Sequence, residues 1–434
     1  MIESVDGSQL FFNSATAALA EIESDKIDLV RGLLDGRLEP NTEEEKQIYG
    51  YLVEGGYLID GATDELEALR KDSSRMRYDR STYMLTIAPT LACNFRCDYC
   101  FESHKGGRMT EEIESALLSF SEPRIRDSKK LNITWFGGEP TLCLDSIERL
   151  QSGFRKLTDK YQVEFTPSSI ITNGYLLDEK NARRLRESGV LRAQVTLDGP
   201  PRIHDARRKL PGGKGTFDRI MENLTGASDL MGIVIRINVD QDNQHLADEV
   251  LDILESRNIL DKVAVYFAEV NSSEHICADM NDKCLGTEHF SKMQVDLYRR
   301  LIDRGIYQIE YPSLSAGGHC GADSENAFVV APDGVLFKCW EEIGGDREHS
   351  VGSVLSREIG DFQQARLDQY LSYNPFDKKE CVECKILPIC MGGCPHRGIE
   401  CNTKTRGACI SWKYNLKEML VLRHICEQLK EVKV

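Results

Sequence analysis

Three cysteines near residue 100 are the residues best placed to do chemistry. Cys93, Cys97 and Cys100 lie in the run Cys93-Asn94-Phe95-Arg96-Cys97-Asp98-Tyr99-Cys100, at C-x3-C-x2-C spacing, just after a strand-like stretch at 83–88. Three thiolates in one short loop can hold three irons of a [4Fe-4S] cube and leave the fourth without a protein ligand. Such cubes are normally closed by four cysteines, so an open iron asks for a small molecule there. A zinc knuckle or a grouping of buried thiols is the reading that spacing alone leaves open. A second concentration runs Cys320, Gly334, Cys339, then Cys381-x2-Cys384-x5-Cys390-x3-Cys394, and finally Cys409. The first residues carry neither a basic start nor an apolar core of a signal peptide, so the expected location is the cytoplasm. Thiols stay reduced there, and 15 cysteines then read as metal or cluster ligands rather than a disulfide framework.

The bulk numbers narrow the classes. At 434 residues, 41% hydrophobic and 29% charged, this is an ordinary globular chain with room for two or three domains. No apolar run approaches the ~20 residues that cross a bilayer, so no membrane partner is expected. A net charge of −16 without a basic stripe argues against nucleic acid.

The elements that must position the cysteines follow in order. Residues 1–80 read as a small unit: a strand ending near Phe12, a helix capped by Asn13 or Ser14, a second helix at 43–54 ended by Gly55-Gly56, and a strand from Tyr57. Residues 70–80 read as a linker or a solvated helix end. From 81 to 268 strand and helix patterns alternate, with strands at 83–88, 131–136, 169–172, 193–197, 233–238 and 263–268. Helices fall between them at 109–121, 144–159, 178–188, 216–230 and 245–258; in the first, Met109, Ile113, Ala116, Leu117 and Phe120 share one face. Six βα units imply a parallel sheet with right-handed crossovers, and barrels of this kind gather their chemistry at the C-terminal ends of the strands.

Four motifs fall at those ends. Gly137-Gly138-Glu139-Pro140 follows the second strand, and its glycines allow a ligand close to the backbone. Thr172-Asn173-Gly174 ends the third strand and Thr196-Leu197-Asp198-Gly199-Pro200 the fourth; their polar groups suit ribose hydroxyls, or simple turn chemistry. Arg236 and Asn238 alternate with apolar residues and so share a sheet face, where a buried arginine needs a partner. A carboxylate ligand or an internal salt bridge would serve. His204-Asp205, Arg207 and Arg208 precede Gly212-Gly213-Lys214-Gly215, and this run reads as a solvated loop.

The cysteine loop resembles the signature of the radical S-adenosylmethionine (radical SAM) superfamily. The resemblance implies an α/β fold with a partial (β/α)6 TIM-type barrel, a [4Fe-4S] cluster on Cys93, Cys97 and Cys100, and S-adenosylmethionine chelating the open iron. Cleavage would then produce a 5′-deoxyadenosyl radical that abstracts a substrate hydrogen. It further implies that Tyr99 lies against the adenine, that Gly137, Gly138 and the Glu139 region meet the methionine amino group, and that Arg236 suits its carboxylate. The C-terminal cysteines resemble a SPASM domain, which implies two further clusters. The nearer takes Cys320, Cys339 and Cys394, with Cys284 or Cys277 as a fourth ligand or an iron open to substrate. The farther takes Cys381, Cys384, Cys390 and Cys409, with Cys401 competing for the last place. A structural zinc site at Cys381, Cys384, Cys390 and Cys394 is the alternative. Cys143 and Cys426 read as packing thiols.

The N-terminal unit resembles the winged-helix element that binds leader peptides in many maturases of ribosomally made peptides, by pairing a strand with a sheet edge. A plain structural wing is the other reading. The expected domains are therefore 1–80 winged-helix-like, 81–268 barrel, 269–318 bridging, and 319–434 SPASM. The implied function is a thioether- or carbon–carbon-forming peptide maturase served by a leader-bearing precursor peptide and a reductant protein, flavodoxin or ferredoxin. Its rivals are a sulfatase-maturase-like enzyme acting on a folded protein and a non-catalytic iron–sulfur or zinc protein.

Overall fold

The computed structural model describes all residues except 1, 4–8, 101, 103–106, 271–282, 313, 315–319, 346, 357, 401–407 and 433–434. Cys277 and Cys401 lie outside the described residues. Contacts group the chain into two compact units, and neither is one continuous stretch. One comprises Arg77–Gly286 with Cys320–Tyr373; the other comprises Met1–Met76, Thr287–His319 and Asn374–Val434.

In the first unit six strands form where the alternation of patterns predicts them: β1 (Thr82–Ile87), β2 (Lys130–Trp135), β3 (Ser168–Thr172), β4 (Val190–Leu197), β5 (Gly232–Val239) and β6 (Val263–Glu269). The helices between them are α1 (Glu111–Arg126), α2 (Leu144–Tyr161), α3 (Glu179–Ser188), α4 (Phe217–Ala227) and α5 (Ala247–Ser256). The strands pair in parallel and in sequence order, β1 to β6. Local chemistry sets the helix ends. The Thr110 hydroxyl accepts from the Ile113 N–H at the start of α1, and Asp178 does the same for Asn181 at α3. Gly189 ends α3 at φ +98°, a backbone state that glycine adopts without strain.

Burial shows which face of the sheet is packed. Along β1, Tyr83, Leu85 and Ile87 are buried while Met84 and Thr86 are half-buried. The same alternation leaves Asn132, Thr134, Ser169, Gln194, Val234, Arg236 and Tyr266 half-buried on the opposite face. Successive strand residues face opposite sides, so the apolar set packs under the helices and the polar set lines an open lumen.

Beyond β1 the sheet continues with strands that the six-unit pattern did not include. β7 (Ala327–Val330) pairs in parallel with β1, and β8 (Val335–Phe337) and β9 (Gly352–Ser353) follow antiparallel. Val329, Ala331, Phe337 and Ile343 pack on Ala88, Leu91 and Phe136, closing the lumen on that side with an apolar cluster.

The second unit corrects two expectations. Asn13 does not cap a helix; it turns a hairpin, Gln9–Asn13 against Ala18–Ile22. Its side-chain oxygen accepts from the Ala15 N–H and its amide donates to the carbonyl of Gly56 at 2.8 Å, the turn use of asparagine rather than the capping use. Residues 57–59 form no strand: the Tyr57 hydroxyl donates to the Phe11 carbonyl at 2.9 Å and the ring packs beside the hairpin. Helices follow at Ile27–Leu34, Glu43–Glu54 and Glu65–Arg77, the last running through most of 70–80, so that stretch is the solvated helix end rather than the linker. One hairpin face packs Phe11 on Val30, Leu33 and Leu52; the other packs Leu10 on Leu420 of the C-terminal helix, Trp412–Val432. No described helix is long and apolar enough to cross a membrane.

Candidate active site at the C-terminal rim of the barrel

The cysteine loop is fastened to the barrel through Gly137-Gly138-Glu139. The chain leaving β1 runs directly over these glycines: a Cβ on Gly137 would lie 2.3 Å from the Thr90 carbonyl oxygen, and one on Gly138 would lie 2.4 Å from that of Leu91. The N–H groups of Gly138 and Glu139 donate to the carbonyls of Thr90 and Ala92 at 3.2 and 3.0 Å. No side chain fits between two backbones that close. The Glu139 carboxylate, fully buried, accepts from the N–H and hydroxyl of Thr141, from the Thr172 hydroxyl at 2.7 Å and from the Asn173 N–H at 2.8 Å. It therefore ties the end of β2 to the end of β3. Thr172 is committed to that knot, while the Asn173 amide reaches Asn94 at 2.8 Å and the Cys93 sulfur at 3.8 Å.

The three thiols share one environment. Burial, with Glu139 adding to it, pushes Cys93 up to about 12, and burial pushes Cys100 up to about 11. Cys97 is raised too by burial, and the Arg208 guanidinium partly offsets this. Cys93 is raised further by the charges of Cys97 and Cys100, and Cys100 by that of Cys97. Thiols held up this way are poor nucleophiles, since the thiolate is the reactive form. A bound cation reverses the balance, because coordination deprotonates a thiol outright. The donor set therefore suits a metal centre and disfavours cysteine nucleophilic catalysis. Glu102, which sequence reasoning passed over, is buried nearby, and burial followed by the charge of Glu139 pushes its carboxyl up to about 8.

A second network fixes Tyr99. Its hydroxyl donates to Asp198 Oδ1 at 2.8 Å and accepts from Arg208 Nη1 at 2.7 Å and from Asn238 Nδ2 at 3.3 Å. Arg236 Nε in turn donates to Asn238 Oδ1 at 2.8 Å. Four predicted residues thus meet: Tyr99, Asp198, Arg236 and Asn238. Thr196 is buried at the position that pairs with Arg236, on the lumen face, and makes none of these bonds. Asp198 is fully buried, and its Oδ2 has no hydrogen-bond partner among the described residues.

Arg208 is the residue that sequence reasoning missed, because the run from 204 to 215 read as a solvated loop. It is instead clasped shut. Arg208–Lys209 pairs antiparallel with Arg96–Cys97, placing Arg208 opposite Cys97. His204 is fully buried; its Nδ1 accepts from the Asp198 N–H at 3.4 Å, which leaves the proton on Nε2 to meet the Thr216 hydroxyl at 3.2 Å. Burial, then Arg208, holds this imidazole well below its usual range, so it stays neutral. Asp205 Oδ1 accepts from the N–H groups of Thr216 and Phe217 at 2.7 and 2.8 Å, and a Cβ on Gly215 would strike Asp205 at 2.3 Å. The signal was available: a His-Asp pair followed by Gly-Thr just before a helix start is capping chemistry. Asp205→Ala should cost about 1 to 2 kcal/mol in a denaturant titration, the range for losing such a cap, and should loosen the Arg208–Cys97 pairing.

The remaining cysteines divide by unit. Cys320 and Cys339 belong to the barrel unit; Cys381, Cys384, Cys390, Cys394 and Cys409 belong to the other. Cys381 and Cys390 are each raised by burial and by the charge of Cys409, and Lys413 Nζ donates to the Cys409 sulfur at 3.4 Å. A Cβ on Gly393 would lie 1.7 Å from the Ala408 carbonyl, so a glycine there lets Cys409 approach Cys390. Cys284 is half-buried in the barrel unit, and Cys143 and Cys426 are buried.

Comparison with known proteins bears on the rim directly. Residues 87–254, from the end of β1 into α5, match the Radical SAM superfamily. The barrel is a radical SAM domain. Its family uses a [4Fe-4S] cluster and S-adenosylmethionine, and the residues present fit that pair: three raised thiols on one loop, an unfilled buried acceptor on Asp198, and a polar lumen behind them. The radical SAM cyclopropyl synthase TigE of Paramaledivibacter caminithermalis is 22% identical, over 99% of this chain and 95% of that one. Native anSMEcpe with bound AdoMet and Cp18Cys peptide superposes with TM-score 0.60 at 20% identity, covering 80% of this chain and 98% of that one. Streptococcus suis SuiB bound to precursor peptide SuiA gives TM-score 0.50 at 14% identity, covering 95% and 99%.

Proposed function

We propose that this radical SAM enzyme modifies a ribosomally synthesised peptide, abstracting a hydrogen so that a thioether or a carbon–carbon crosslink forms. The observation that carries it is the gathering of Cys93, Cys97 and Cys100 beside the Tyr99–Asp198–Arg208–Asn238 network at the mouth of a polar lumen. A cluster on the three thiols with S-adenosylmethionine would supply hydrogen-atom abstraction when bound. Tyr99, locked through its hydroxyl, offers a fixed ring face to the adenine. Asp198 Oδ2 would accept from a ribose hydroxyl, with Thr196 on the same lumen face and Thr172 and Asn173 bracing the rim. The backbone at Gly137-Gly138-Glu139 would meet the methionine amino group, and Arg236, bonded to Asn238 through Nε, would offer its terminal N–H groups to the carboxylate.

Two auxiliary clusters complete the proposal, one on Cys320, Cys339 and Cys394 and one on Cys381, Cys384, Cys390 and Cys409. They would accept the electron released as the product closes, and a flavodoxin or ferredoxin in the cytoplasm would supply the reducing electron. The leader of the precursor would pair with Ala18–Ile22, whose only strand neighbour among the described residues is Gln9–Asn13. SuiB, solved with its precursor peptide SuiA bound, covers 95% of this chain, and this supports a peptide substrate.

The test uses the reconstituted, reduced enzyme with S-adenosylmethionine and the short peptide encoded beside its gene. The expected product is lighter by the two hydrogens that a crosslink removes. An unmodified peptide, with leader-bearing and leaderless forms binding equally, would return the folded-protein reading.

A further inference from the structure

Arg207 ends the short helix Pro201–Arg207 and is only 9% exposed. It reaches in two directions. Its carbonyl accepts from the Asp98 N–H at 3.2 Å, next to Tyr99. Its guanidinium faces Asp240, with Nη1 2.8 Å from Oδ2 and Nη2 donating to Oδ1 at 3.1 Å. Asp240 is fully buried and opens the turn at 240–243 that follows β5.

That turn grips the two strand ends that serve Tyr99. The Asp240 N–H donates to Asn243 Oδ1 at 2.8 Å, and the Asn243 amide donates to the carbonyls of Asp198 and Asn238 at 2.7 and 2.8 Å. Asp198 and Asn238 are the residues whose side chains meet the Tyr99 hydroxyl. The contacts therefore close on themselves. They run from Tyr99 to Arg208, along the chain to Arg207, across to Asp240, through Asn243 to Asp198 and Asn238, and back to Tyr99. Asp240 and Asn243 are both buried, so water does not compete for these links. Members of a buried polar network act together, and one broken link loosens the groups on either side of it.

We propose that Arg207 is a positioning residue for the adenosine part of S-adenosylmethionine. It closes the ring of contacts that holds the Tyr99 ring face and the Asp198 carboxylate in a fixed relation. The inference rests on reading Tyr99 and Asp198 as the adenine and ribose contacts. Groups fixed in advance lose little freedom when a ligand arrives. Opening the ring should therefore weaken binding of adenosine and leave the chemistry that follows binding nearly as it was.

The experiment measures equilibrium binding of 5′-deoxyadenosine to the reconstituted holoenzyme, with steady-state cleavage of S-adenosylmethionine alongside. Arg207→Gln leaves the Asp240 carboxylate its N–H donors from Asp242 and Asn243, so it is not stranded. This variant should bind 5′-deoxyadenosine about tenfold more weakly and raise KM for S-adenosylmethionine by about as much, with kcat little changed, the pattern of lost binding rather than lost chemistry. A fall in kcat at unchanged KM would overturn the proposal. Tyr99→Phe removes the hydroxyl and opens the same ring. If Arg207 acts through Tyr99, the double variant binds no more weakly than the weaker single one. Losses that multiply would overturn the proposal and leave Arg207 a support of the fold alone. Tyr99→Ala tests the underlying reading: native affinity for 5′-deoxyadenosine in that variant would end the reading and the inference with it. Should Tyr99→Ala weaken binding while Arg207→Gln does not, the adenine contact stands and the ring falls. If Arg207→Gln does not fold, Asp240→Asn opens the ring from its other side and meets the same expectations.

Discussion

Replacing Cys93, Cys97 and Cys100 together by alanine abolishes reductive cleavage of S-adenosylmethionine, to below a thousandth of the native rate. The three thiols are the proposed ligands of the cluster, and burial keeps them protonated unless a cation is bound. The loop's position does not depend on the sulfurs. Phe95 is fully buried against the Tyr175 ring at 5.7 Å, and Asn94 accepts from Asn173. The variant should therefore fold, and any iron held by the proposed centre at Cys381, Cys384, Cys390 and Cys409, which lie in the other unit, should stay. Measured release of 5′-deoxyadenosine above background would remove the central assignment. Loss of all iron would show instead that loading of the two units is coupled.

Glu139→Ala should produce the largest loss of stability of any single change at the rim. It strands two backbone N–H groups, on Thr141 and Asn173, and two hydroxyls, on Thr141 and Thr172, in a place that water does not reach. Each buried donor left unmet costs about 1 to 3 kcal/mol, and the hydroxyls can turn elsewhere. The total should be about 3 kcal/mol or more, read from urea or thermal unfolding. Glu139→Gln keeps one carbonyl oxygen in the knot and should cost less. A native-like stability for the alanine variant would mean that the ends of β2 and β3 are held by other contacts.

The barrel was legible because two independent periodicities agreed there. Strands of five to eight residues alternated with helices of 10 or more, and glycine or proline marked most of the junctions. The cysteine spacings were legible for a different reason: metal ligation restricts both residue type and distance along the chain. What was hidden depended on partners far away in sequence. Asn13 reads as a cap until its amide is seen on the Gly56 carbonyl, and Arg208 reads as a surface charge until Tyr99 and Asp198 are seen around it. β7 was hidden too: four residues are too short to count as a strand without β1 to pair with. Glu139 shows the limit inside a recognised motif. Its presence was expected, but its role as a knot between two strands comes only from its four donors.

The packing of Leu10 on Leu420 sets an order of events during synthesis. Ribosomes add about 5 to 20 residues per second, so the N-terminal hairpin waits roughly 20 to 80 s before its partner helix exists. Throughout that interval Leu10, Phe12 and Leu19 have nothing of their own chain to cover them on that face. The barrel strands β1 to β6 emerge meanwhile and can fold, and the cysteine loop with them, while the chain's last cysteines are still being made. Cys93, Cys97 and Cys100 would therefore be open to metal loading well before Cys409 exists.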